Sequence, residues 1–89
     1  MSDALKAAEA TELGLREQIS DLVHARSRAD SESKRLADRA ALPGAHVELT
    51  EIAGRYERQS ATLAAEIETL RSSLRAAEAE LERLRAPDH

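Results

Sequence analysis

A cluster of polar side chains near the middle of the sequence could hold a small ligand. Arg26, Arg28, Arg55, Tyr56, Gln59 and Ser60 supply guanidinium, phenol, amide and hydroxyl donors, a set suited to an anionic metabolite through charge-assisted hydrogen bonds. The competing reading is a solvated polar belt that loosens the fold locally or fixes its register. Other chemistry-bearing residues do not converge. His24, His46 and His89 are far apart, no histidine pair is spaced by four, and no HExxH pattern occurs, so no metal is expected. The absence of Cys removes disulfides, thiolate ligands and a thiol nucleophile. Ser, His and Asp occur, but no nucleophile elbow, Gly-rich phosphate loop or kinase signature arranges them. The chain reads as non-enzymatic, with no cofactor and no small-molecule substrate expected.

Two short resemblances bear on this. Leu15-Arg16-Glu17-Gln18-Ile19-Ser20-Asp21-Leu22 resembles the opening helix of the small all-helical chorismate mutases, and Arg55-Tyr56 echoes a later helix of that family. The resemblance implies an arginine-lined dicarboxylate site, with Arg16 carried over from the motif and Arg28 and Arg55 as further ligands. It covers eight residues; the long apolar first helix and a clear third helix are absent. The chain length and central turn also look like the helical-hairpin proteins exported by type VII secretion. Their Trp-x-Gly turn is replaced here by Leu42-Pro43-Gly44-Ala45, and the chain contains no Trp.

Composition bounds what can position such residues. The 89 residues suffice for one domain, with 34% charged residues, 1% aromatic residues and a formal net charge of −4. Tyr56 is the single aromatic, so the apolar content is Leu, Ile, Val and a large share of Ala. A compact globule normally fills its centre with aromatics. An Ala-, Glu-, Arg- and Leu-rich chain with a sustained helical period marks long helices and coiled coils. No apolar run approaches the ~18 residues of a membrane span, and Met1 to Ala10 has no apolar signal region, so the cytoplasm is the default expectation. Arg26, Arg28, Lys34, Arg35 and Arg39 form a locally basic stretch, but Asp30, Glu32 and Asp38 interleave with it, so nucleic acid is not an expected partner.

Pro43-Gly44 and Pro87 are the strong breaks. Proline removes a donor and disfavours helix in the residue before it, and glycine frees the turn. One helical-hairpin domain over 1–89 is expected, with helix 1 over about 3–42, a turn at 43–45 and helix 2 over about 46–86. Ser2 or Asp3 is a candidate first cap, and Thr50 one for helix 2 if its first turn frays. In helix 2, Leu49, Ala53, Tyr56, Ser60, Leu63, Ile67, Leu70, Leu74, Ala77, Leu81 and Leu84 follow steps of four and three, a heptad seam. Helix 1 carries a weaker seam: Met1, Leu5, Ala8, Glu12, Leu15, Ile19, Leu22, Arg26, Ala29, Ser33, Leu36 and Ala40.

Folding at Pro43-Gly44 opposes residues whose numbers sum to roughly 88 and brings the leucine-rich halves together at the open end. Leu15, Ile19, Leu22, Leu63, Ile67, Leu70, Leu74 and Leu81 are the expected hairpin core. Ser27 to Ser33 is rich in helix-weakening residues, which leaves three helices as an alternative. Pairs at Glu12–Arg16, Asp30–Lys34 and Glu51–Arg55 suit exposed helix faces.

Two helices bury one stripe each, whereas domains need two or three packed layers. Leu13, Val23, Val47 and Ile52 lie off the seams, and Ala61, Ala64, Ala65, Ala76 and Ala79 permit close helix approach. The fold class expected is therefore all-α, a long antiparallel coiled-coil-like hairpin dimerising into a four-helix bundle. The partner is a second copy or another helical protein, and no membrane. The function expected is that of a structural or adaptor protein acting helix on helix. A small helical enzyme or sensor for an anionic metabolite, and an accessory nucleic-acid-associated protein, are the alternatives.

Overall fold

The heptad seams become two long helices, α1 over Ser2–Ala40 and α2 over Val47–Arg85. The computed structural model describes residues 2–44 and 47–86, and among these there is no strand. At 1.5 Å per residue, 39 residues reach about 58 Å. The hairpin measures 72 × 15 × 13 Å. Both helices carry the charge order that their dipoles favour. Asp3 and Glu48 lie in the first turns, and Arg39, Arg83 and Arg85 in the last.

α1 stops at Ala40, two residues before the expected end near 42. The Ala41 N–H still donates to the Ala37 carbonyl at 3.1 Å, but the Leu42 N–H turns to the Arg39 carbonyl at 3.2 Å, a tighter three-residue closure. Pro43 follows immediately, and Gly44 takes φ +82°, which only glycine adopts without strain. The expected start of helix 2 at His46 lies outside the described residues, as does Met1 of the first seam; α2 ends at Arg85, within one residue of the expected 86 and before Pro87. Asp3 lies inside α1 and Thr50 inside α2, so neither is a cap.

α1 is unbroken through Ser27 to Ser33, so the three-helix alternative is set aside. The physical reason is in the side chains. Ser33 donates its hydroxyl to the Ala53 carbonyl of α2 at 3.1 Å. The Ser60 hydroxyl donates to Asp30 Oδ1. Groups that would otherwise compete for local backbone are spent across the helix interface. The residue numbers of these two contacts add to 86 and 90, on either side of the expected 88.

All eleven residues of the helix 2 seam are buried or half-buried. In α1 every described seam residue is likewise removed from full exposure except Arg26, which is exposed; Ala25 turns inward in its place. An alanine there lets the guanidinium stay hydrated while the helices remain close. Glu12 sits half-buried and receives Arg16 at 3.4 Å. The eight expected core residues all face the interface. Ile67 and Leu81 are each only 2% exposed, and the other six are half-buried.

Candidate helix-docking surface

The seam of α2 is not evenly covered. Ala53, Ser60, Ile67, Leu74 and Leu81 occupy one row, position a of the heptad, and all but Leu74 are fully buried. Leu49, Tyr56, Leu63, Leu70, Ala77 and Leu84 occupy the other row, position d, and every one is only half-buried. α1 therefore covers one row and leaves the other leaning into solvent.

The two flanks of the hairpin differ in charge in the same sense. Position e borders the a row. There Arg16 of α1 reaches Glu78 of α2 at 2.8 Å, and Arg85 reaches Glu9 at 3.2 Å. These pairs are about half exposed, so each contributes at most about 1 kcal/mol, but both lie on one flank and lock that side of the hairpin. Position g borders the d row. From Thr11 to Ala25 that flank of α1 presents Thr11, Gln18 and Ala25, none of them charged. On α2, Thr62, Ala65, Glu66, Thr69 and Leu70 line a shallow, mainly apolar groove along it.

The residues expected at the partner surface are exposed but scattered. Leu13 is 58% exposed and Val47 76%, and Val23 is exposed as well. Val23 lies on the ion-paired flank, lining a polar groove with Arg26, Ser27, Asp30, Ser31 and Lys34. Ile52 is half-buried on the opposite flank, beside Arg55, Tyr56 and Gln59. The four do not share one face. The sequence reading also left out Leu42, an exposed leucine at the turn. The half-covered d row was visible only as part of the seam, because heptad spacing does not say which row the partner helix covers better.

The anionic-ligand residues are partly brought together. Arg28 lines a groove with Ala25, Ala29, Glu32, Tyr56 and Gln59. Arg55 shares Tyr56 and Gln59 from the other side. Arg26 faces the opposite flank, and Ser60, at 5% exposure, is buried against Asp30. Arg16, which the chorismate-mutase resemblance made a ligand, is held by Glu12 and Glu78. It lies twelve residues from Arg28, about 18 Å along the helix. Glu32 brings a carboxylate into the Arg28 groove and pairs with Arg35, whose hydrogen bond holds the Glu32 pKa below the usual carboxylate value.

His24 is exposed, and among the described residues no group of three acidic, His or Cys side chains could hold a metal ion. No described helix is long and apolar enough to cross a membrane. No protein-family model, no curated protein and no solved structure matches this chain.

Proposed function

We propose that this chain is a non-enzymatic structural or adaptor module that works by packing its coiled-coil hairpin against helices of another chain. The observation that carries the reading is the half-covered leucine row of α2 beside an uncharged flank of α1. Leu13, Leu42 and Val47 add large apolar side chains in solvent. Burying such surface is the main favourable term in association, at roughly 25 cal/mol per Å². Glu66, the charged residue lining the groove, would favour helices that set a donor or cation against it, because a like charge placed there would reject a wrong partner.

A photo-crosslinking residue placed singly at Leu13, Val23, Val47 and Thr69, with the protein at its natural level in its own cells, tests the reading. Discrete adducts larger than the 9.7 kDa chain are expected from at least one position. Absence of adducts at all four would overturn it.

A second reading has one observation in its favour: Arg28 and Arg55 flank the same Tyr56 and Gln59. It would bind a small dicarboxylate in that groove. Thermal-shift measurements with small dicarboxylates on the wild-type chain and on Arg55→Ala test it. A ligand-dependent shift in the wild type that the variant loses would support it, and no shift would remove it.

A further inference from the structure

We propose that the occupant of the half-covered α2 face is a second copy of this chain, docked about a twofold axis that passes beside Leu70. This rests on the helix-docking reading above and names its partner. Three observations carry it.

The first is area. The chain exposes 6645 Å², whereas a folded monomer of 9.7 kDa exposes roughly 5,100 Å². The surplus, about 1,500 Å², is nearly twice the ~800 Å² per partner that a standard stable interface buries. A hairpin thus has enough unburied surface to form a dimer and still expose as much as an ordinary globule.

The second is symmetry of the row. Tyr56, Leu63, Leu70, Ala77 and Leu84 repeat every seven residues, with Leu70 in the middle. An antiparallel copy of α2 centred there sets Leu70 against itself, Leu63 against Ala77 and Tyr56 against Leu84. Leu63 then meets the small Ala77 on either side of a central Leu70–Leu70 contact, and one surface complements itself, as twofold contacts require. The pairing runs for about 42 Å at helical rise.

The third is charge. The side chains bordering the centre of this row are Thr62, Thr69, Ser73 and Ala76, with Glu66 the only charge among the groove residues. Association about Leu70 buries only Glu66 at its centre and meets the Glu80–Arg83 pair only at its end beside Leu84, whereas the opposite flank would have to desolvate the Arg16–Glu78 and Glu9–Arg85 pairs that bridge the two helices. The same pairing brings Glu66 near Ser73 of the other copy, a hydroxyl donor for its carboxylate.

The Cys-free sequence makes the test clean. Sedimentation equilibrium of the wild-type chain from micromolar to hundreds of micromolar should give twice the 9.7 kDa mass. Leu70→Cys lies at the axis, but it removes a seam leucine; Thr69→Cys is next to it, exposed, and leaves the seam intact. Under mild oxidation at about 10 µM protein, Thr69→Cys should crosslink to itself about a hundredfold faster than Arg58→Cys on the outer surface of α2, because docking raises the effective thiol concentration to about the millimolar range. Circular dichroism checks that both variants stay helical.

A wild-type mass of one chain throughout would overturn the proposal, and so would equal crosslinking at Thr69→Cys and Arg58→Cys. A monomer that still yields larger adducts with other proteins in the cell would remove only the second copy and leave the docking reading standing. A monomer without adducts would remove both.

Discussion

At the residue scale, the interior is held by a few side chains of opposite kinds. Ile67 and Leu81 are the most deeply covered hydrophobics, and Ser60 is the one buried polar residue recorded among those described. Its hydroxyl is matched by Asp30, and no described buried side-chain polar atom lacks a partner. Ile67→Ala should lower stability by about 2–5 kcal/mol through lost burial and the space left behind. Ser60→Ala removes one hydrogen bond to a half-buried carboxylate and should cost about 1.5–3 kcal/mol. Urea unfolding of both variants checks the ranking, and a larger loss at Ser60 would contradict it. On the surface, the Arg35 hydrogen bond lowers the Glu32 pKa, and Arg83 does the same for Glu80. A depressed acid stabilises the fold above its unfolded pKa and loses that contribution as pH falls through the folded value. Carboxyl NMR titration should therefore find Glu32 more than half ionised at the pH where an ordinary glutamate is half protonated, and Arg35→Gln should bring it back toward the ordinary value.

At the element scale, each helix is long enough to depend on its neighbour more than on its own propensity. α1 tolerates its serines because Ser33 satisfies its hydroxyl on α2 while Ser27 and Ser31 stay in solvent. The two described glycines outside α2, Gly14 in α1 and Gly44 in the turn, do opposite work. Gly14 lies mid-helix with nothing within 4 Å of an added Cβ, so Gly14→Ala should raise stability by about 0.5–1 kcal/mol. Gly44 has φ +82°, so Gly44→Ala should lower stability by roughly 1 kcal/mol or more even though its surroundings are open. Paired thermal melts read the two signs directly. Stabilisation by both substitutions would show that Gly44 is not held in its left-handed turn.

At the scale of the whole molecule, a body 72 Å long and 15 Å wide has almost no interior. Its seam therefore holds the hairpin together, and under the proposed helix docking the same seam would also carry association. Leu70 would belong to both, since it is partly buried in the hairpin and still lines the shallow groove on the outside of α2. Leu70→Asp puts a charge where neither contact tolerates one, and loss of helicity or loss of assembly is the expected outcome. Circular dichroism and light scattering on one sample would read both, and a variant unchanged in both would refute the seam.

The sequence by itself determined the two helices, the reversal at Pro43-Gly44 and which residues face inward, because heptad spacing is a property of the chain and needs no partner to be read. It also set the register closely, since a short turn leaves little freedom in pairing. Three things waited for the tertiary structure. One was that the polar middle is spent on Ser33–Ala53 and Ser60–Asp30 contacts, which depends on which hydroxyl reaches across. Another was that Arg26 turns outward while Ala25 turns in. The third was which row of the α2 seam is left half open. Rotation of one helix about its own axis by a fraction of a residue step decides these last two, and a repeat of seven is blind to so small an angle.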